Sequence, residues 1–231
     1  MHPHLLRRTA AAALVALVAV TALAAVTAGP AAAHRPSPAQ IGRGLVRSGI
    51  ELGPAVAYTN AGERARRRPA CRQFPTSVLA AIGYVETRHG TYGGRRVNSR
   101  GVVTPSLFGV RLDGRLAGTV VIRDTDNGHY DRDGRYDRAV GPMQFIPSTW
   151  RNVAANHNVD GSGDGIENPQ NIHDAALAAA HYLCDAARRS GQPIHTRAGL
   201  TAALRSYNAS TAYRNAVLAR AARYRSNYGH P

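Results

Sequence analysis

"VGPMQFIPSTW", Val140 to Trp150, gathers a glycine, two prolines, a methionine and a glutamine beside the only tryptophan of the chain. Pro142 and Pro147 restrict the backbone on either side of Gln144, Gly141 permits a close turn, and Ser148 or Thr149 can cap a helix containing Trp150. A rigid loop presenting an amide and apolar side chains would use these residues, and so would a packed corner of a core. Spacing within the stretch fits both.

The text on either side is helical. Upstream, "PTSVLAAIGYVETRHG" offers Thr76 or Ser77 as N-cap behind a proline, apolar residues at Leu79, Ile82 and Val85, and Gly90 as a stop. Glu86 falls on the apolar face, seven residues after Leu79 and four after Ile82. Downstream, Asn171 and Asp174 open "IHDAALAAAHYLCDAARR", a helix closed by Gly191; another helical stretch runs over 201–208. In "TAYRNAVLARAARY", Tyr213, Val217, Ala221 and Tyr224 share one face. Between these helices, SLFGVRL and RLAGTVVI joined by Asp113-Gly114 read as a β-hairpin, followed by the acidic, glycine-rich loop "DTDNGHYDRDGRYDRAVG". The expected fold class is mainly α (α+β): a helical domain with a small β-hairpin insertion.

Residues 1–33, with a basic start, an apolar Ala/Val run and Ala31-Ala32-Ala33, have the grammar of an export signal; the run is also long enough for an uncleaved anchor. Residues 34–70, bearing Pro, Gly and an Arg cluster, read as linker with one short helix, QIGRGLVRSGIEL, leaving 71–231 as the functional domain. In an exported chain the two cysteines, Cys71 and Cys184, suit a structural disulfide, with two buried free thiols as the alternative. Closing so long a loop contributes roughly 3–5 kcal/mol. The net charge is +15 and every basic residue is arginine. Such a charge concentrates the protein near polyanions, and export favours a cell wall over nucleic acid, for which no recognition motif is present. The expected location is outside the cytoplasmic membrane, with membrane contact only through an uncleaved N-terminus.

Glutamate occurs only at Glu51, Glu63, Glu86 and Glu167. Desolvation on its apolar face would raise the pKa of Glu86 toward neutrality, as a general acid requires. The alternative is a solvated carboxylate, or one paired with Arg88. His89 reads as a partner at the end of its helix, where a positive charge suits the dipole, with a substrate contact as the alternative. "SYNAST", Ser206 to Thr211, adds a Tyr hydroxyl and an Asn amide near another helix end, and alone reads as a turn.

Taken in order, Glu86-Thr87-Arg88-His89-Gly90, then Gly141 to Trp150, then Tyr207-Asn208 resemble the motifs of the lytic murein transglycosylases, specifically the membrane-bound lytic transglycosylase B-like group and its actinobacterial relatives. The middle motif is long and specific; the outer two are short. The resemblance covers roughly residues 75–228. It implies a goose-lysozyme-like fold and cleavage of the β-1,4 bond between N-acetylmuramic acid and N-acetylglucosamine in peptidoglycan glycan strands; the chain is expected to be a monomer. Glu86 would be the sole acid and base, Gln144 and Phe145 would line the sugar cleft, and Tyr207 and Asn208 would orient the carboxyl group and the substrate N-acetyl group. With no second carboxylate on a rigid element, the coherent route is intramolecular, ending in a 1,6-anhydromuramyl product without water. If an aspartate of the acidic loop reached the cleft, lysozyme-type hydrolysis would follow; a non-catalytic wall-binding module is the reading from charge alone.

No cofactor is needed for that chemistry. "DGSGDGIENPQNIHD" nevertheless places oxygens at Asp160, Ser162 and Asp164 with Gly165 sixth, as an EF-hand calcium loop begins, although Asn171 stands where the twelfth-position Glu belongs. The resemblance implies an extended loop with Asp174 as last ligand and a structural Ca2+. Asp174 can equally serve the positive end of its helix, and Asp-Gly-Ser-Gly is ordinary turn composition. The ten histidines show no zinc spacing.

Overall fold

The computed structural model describes residues 35–228, so the export signal expected over 1–33 lies outside the described residues. Seven α-helices and four short strands are present among them.

The first departure from expectation is in 34–70. Instead of a linker with one short helix, this segment carries α1 (Pro38–Arg47), which overlaps that expected helix, and α2 (Leu52–Arg66); their Ile41, Leu45, Ala55, Tyr58, Ala61 and Ala65 are buried in the same core as the rest. Pro38 and Pro54 sit in the first turns of these helices, where a missing N–H costs nothing. Ser37 and Gln40 close a capping box: each backbone N–H donates to the other's side chain, at 2.8 and 3.3 Å.

At the centre lies α5 (Ile172–Arg189), buried on nearly every side from Ile172 to Ala187. Its alanine-rich surface lets α2 pack closely. The Asn171 side chain accepts from the His173 N–H at 3.0 Å, the cap expected. Cys184 of α5 is bonded to Cys71, and their Cα atoms stand 6.0 Å apart. Against α5 pack α6 (Arg197–Tyr207) and, less extensively, α4 (Pro147–Asn156) and α3 (Thr76–Thr87), while α7 (Thr211–Ser226) packs on α3. α6 starts at Arg197, earlier than the apolar pattern suggested, because the Thr196 hydroxyl accepts from Gly199 N–H. Neither Thr76 nor Ser77 caps α3, and neither Ser148 nor Thr149 caps α4. The proline or isoleucine ahead holds each N-cap position, and these hydroxyl residues lie inside the first turn.

The strands form two small antiparallel sheets. β1 (Arg96–Val97) pairs with β2 (Val103–Thr104), and β3 (Phe108–Arg111) with β4 (Arg138–Val140). The hairpin expected across Asp113-Gly114 is therefore corrected: its second arm supplies only an isolated bridge, Asp113 to Val121. Leu116, Val120 and Val121 face solvent with no core beneath them, so β3 pairs instead with the strand that leaves the acidic loop. The fold is mainly α, with the small antiparallel insertion between α3 and α4. Among the described residues no helix is long and apolar enough to cross a membrane.

Candidate active site

Val140 to Phe145 is a tight β-turn. Val140 and Phe145 exchange both backbone hydrogen bonds, at 2.8 and 3.0 Å, and the Gln144 N–H donates to Gly141 O at 3.1 Å. Gly141 has φ +72°, and a Cβ there would collide with the Pro169 carbonyl, so only glycine fits. Three successive carbonyls of the turn have side-chain donors: Gly141 O takes the Gln144 side-chain amide at 2.9 Å, Pro142 O the Thr87 hydroxyl at 2.7 Å, and Met143 O the Tyr207 hydroxyl at 2.7 Å. Phe145 and Trp150 are buried below, their rings 5.7 Å apart. The stretch is thus both a packed corner and a rigid presenting loop.

Thr87 ties that turn to the last turn of α3, one residue beyond Glu86. Its hydroxyl also accepts from Gly90 N–H at 2.8 Å, while the His89 N–H reaches back to Gly83 O at 2.8 Å. Arg88, His89 and Gly90 all have positive φ, which stops the helix directly after the carboxylate. Glu86 is half-buried, and the Tyr213 hydroxyl donates to its Oε1 at 2.6 Å. Burial pushes the Glu86 pKa up to about 7, against the opposing pull of the Tyr213 hydrogen bond. Tyr213 and Tyr207 stack with centroids 6.5 Å apart, and burial raises both phenols, with the Glu86 charge adding to each.

Beneath Glu86, His89 bridges two phenols: Nδ1 to the Tyr58 hydroxyl at 3.0 Å and Nε2 to the Tyr224 hydroxyl at 3.1 Å. Burial, with Arg220 nearby, lowers the His89 pKa to about 4. It is a neutral partner at the helix end, so the charge–dipole rationale for His89 is corrected: the cost of burying the cation outweighs the helix terminus. A Cβ on Gly83 would strike the Tyr58 hydroxyl, so this glycine admits Tyr58 to the network.

The structure brings Glu86, Tyr207 and the Gly141–Gln144 turn together. Gln144 sits at φ +50° with its amide nitrogen turned onto the turn itself. Asn208 is exposed, and its Oδ1 accepts from Ser210 N–H at 2.9 Å. The hydroxyl on Glu86 comes from Tyr213, a residue singled out in the sequence only as part of an apolar face. The signal was available, since Tyr213, like Glu86, is a polar group on such a face. Tyr58 was hidden because its segment read as linker.

In the 158–174 loop, Gly165 turns at φ +80° and its N–H donates to Asp160 Oδ2 at 2.9 Å, while Asp160 Oδ1 accepts from Gly163 N–H at 2.6 Å. Asp174 is fully buried: Oδ1 accepts from Gly161 and Ser162 N–H, and Oδ2 from Asn168 N–H. Asp164 holds the Ile166 N–H at 2.9 Å. A sharp glycine turn around a first-position aspartate suits a calcium loop, and Asp174 ties its two ends together. Pro169, at the far end of this loop, is the residue that abuts Gly141.

A family model described as Transglycosylase SLT domain matches residues 70–214. No curated protein and no solved structure matches the chain.

Proposed function

Because the chain belongs to the transglycosylase SLT domain family, whose activity is lytic cleavage of peptidoglycan, we propose that it is an exported enzyme that closes 1,6-anhydromuramyl ends with Glu86 as its only acid and base. We place it with the membrane-bound lytic transglycosylase B-like group on the motifs quoted above. The observation that carries the mechanism is a half-buried carboxyl with pKa about 7 under the Tyr213 hydroxyl.

Near neutral pH a large share of Glu86 is protonated, so it can donate to the glycosidic oxygen as the bond between N-acetylmuramic acid and N-acetylglucosamine breaks. The substrate's own 2-acetamido group assists at the anomeric carbon. The resulting carboxylate, held by Tyr213, then takes the proton of the 6-hydroxyl as O6 attacks C1, so no water enters the product. Gln144 and Asn208 supply sugar contacts; Phe145, expected to line the cleft, instead supports the turn from below against Trp150, and Tyr207 acts through the turn by fixing the Met143 carbonyl. Calcium in the loop of Asp160, Ser162, Asp164 and Asp174 would be structural, bracing the turn through Pro169, with no part in proton transfer.

Mass spectrometry of fragments released from purified sacculi tests this. Muropeptides one water lighter than reducing ends are expected, and Glu86→Gln should lower release by at least about 10²-fold with the fold intact. Reducing ends would make the enzyme a muramidase instead, and full activity in Glu86→Gln would remove Glu86 from the mechanism.

A further inference from the structure

The acidic loop between β3 and β4 is not explained by glycan cleavage. One carboxylate oxygen from each of Asp124, Asp126 and Asp137 lies within 4.8 Å of the other two. Asp126 is 9% exposed and Asp137 is fully buried, as is the neighbouring Asp131. This is the costliest place for like charges, and buried charges are ordinarily paired or bound to metal.

Arginine is abundant around the loop, yet it is turned elsewhere. Arg111 pairs with Asp133 at 2.7 Å, Arg123 lies over the Tyr136 ring at 4.6 Å and Arg132 over Phe108 at 5.7 Å. Arg151 donates to the Thr125 carbonyl at 2.7 Å. Among the described residues no basic side chain forms an ion pair with Asp124, Asp126, Asp131 or Asp137.

Backbone and hydroxyl donors satisfy most of the cluster. Asp124 Oδ1 accepts from Asp126 and Gly128 N–H at 3.1 and 3.2 Å. Asp137 accepts from the Thr125 N–H and hydroxyl at 2.9 and 2.7 Å, and Asp126 Oδ2 from Tyr130 N–H at 2.7 Å. Asp126 Oδ1 is the exception: it is buried and has no hydrogen-bond partner at all. A buried carboxylate oxygen with no donor calls for a further partner, for which a bound ion is one of the ordinary answers. Asp126 also lines a cavity of about 180 Å³ together with Asn127, His129, Tyr130 and Arg151.

We propose that Asp124, Asp126 and Asp137 form a site for a hard divalent cation, calcium in the first place, separate from the 158–174 loop. All its donors are oxygens, three of them anionic, and they come from a glycine-rich loop able to meet the irregular coordination that calcium accepts. Since Asp137 leads directly into β4 and the Gly141 turn, ion binding would stiffen the strand that delivers Gln144.

The test uses the full chain, stripped with chelator and titrated with Ca2+ by calorimetry, in an Asp160→Asn/Asp164→Asn background that disables the other candidate loop. One equivalent of Ca2+ is expected to bind there, to raise the melting temperature, and to be weakened at least tenfold by adding Asp126→Asn. Where that variant misfolds by circular dichroism, the half-exposed Asp124→Asn serves in its place. Absence of Ca2+ binding in the background protein, or binding that survives both substitutions, overturns the proposal; in the first case a proton shared between Asp124 and Asp126 accounts for the cluster.

Discussion

Glu86 and Tyr213 make opposing demands on one proton. The apolar surround favours the neutral carboxyl, whereas the phenol hydroxyl donates to the anion and lowers its pKa. Tyr213→Phe should therefore move the alkaline limb of the pH–rate profile upward, by up to about one unit, while kcat falls because the carboxyl loses its anchor. An unmoved limb would show that the hydroxyl does not bear on the reacting group. The raised value also has a cost in stability. Glu86 binds its proton more tightly folded than unfolded between pH 4.5 and about 7, so its effect on stability is neutral below that window and unfavourable above it. Glu86→Gln should accordingly unfold at higher denaturant than the parent at pH 8, by on the order of 1–2 kcal/mol, with the difference gone at pH 4.

At the scale of elements, the α3 terminus and the Gly141–Gln144 turn act as one unit through Thr87. Thr87→Val keeps the shape but strands the Pro142 carbonyl and the Gly90 N–H, so denaturant melts should show a loss of about 1–3 kcal/mol. Sugar turnover should fall more than substrate binding. Much of this was legible in the sequence: α3, α5 and α7 follow from apolar spacing, and the Glu86 face with them. What could not be read is which partners the polar groups choose. Glu86 takes Tyr213 across a sequence separation of 127 residues. The β3 register turned on whether core lay under 115–121, and strand propensity carries no information about that. The first helix was read in part, within QIGRGLVRSGIEL, but the second was missed because its proline signals a break only when it falls inside a helix.

For the whole molecule, the N-terminal helices are part of the catalytic body. Removing residues 36–68 takes Tyr58 from His89 and uncovers α5, so a chain beginning at Pro69 should show no cooperative thermal transition, whereas a true linker could be cut away without effect. His89 gives the fold its acid limit. Its pKa of about 4 lies below the usual 6.5, so the folded protein binds fewer protons in that interval. The stability it supports is complete above pH 6.5 and lost as pH falls toward 4, by roughly 2–3 kcal/mol. Urea midpoints across that range should drop, and His89→Gln should flatten the slope.

The bridge from Cys71 to Cys184 spans 113 residues and encloses Glu86, the acidic loop and the glutamine turn, while Tyr213 lies beyond it. A protease that nicks the exposed surface at 115–121 would therefore yield two peptides that still travel as one particle. The scissors would stay assembled after being cut, and only a reductant could release the half bearing the carboxylate from the half bearing its phenol.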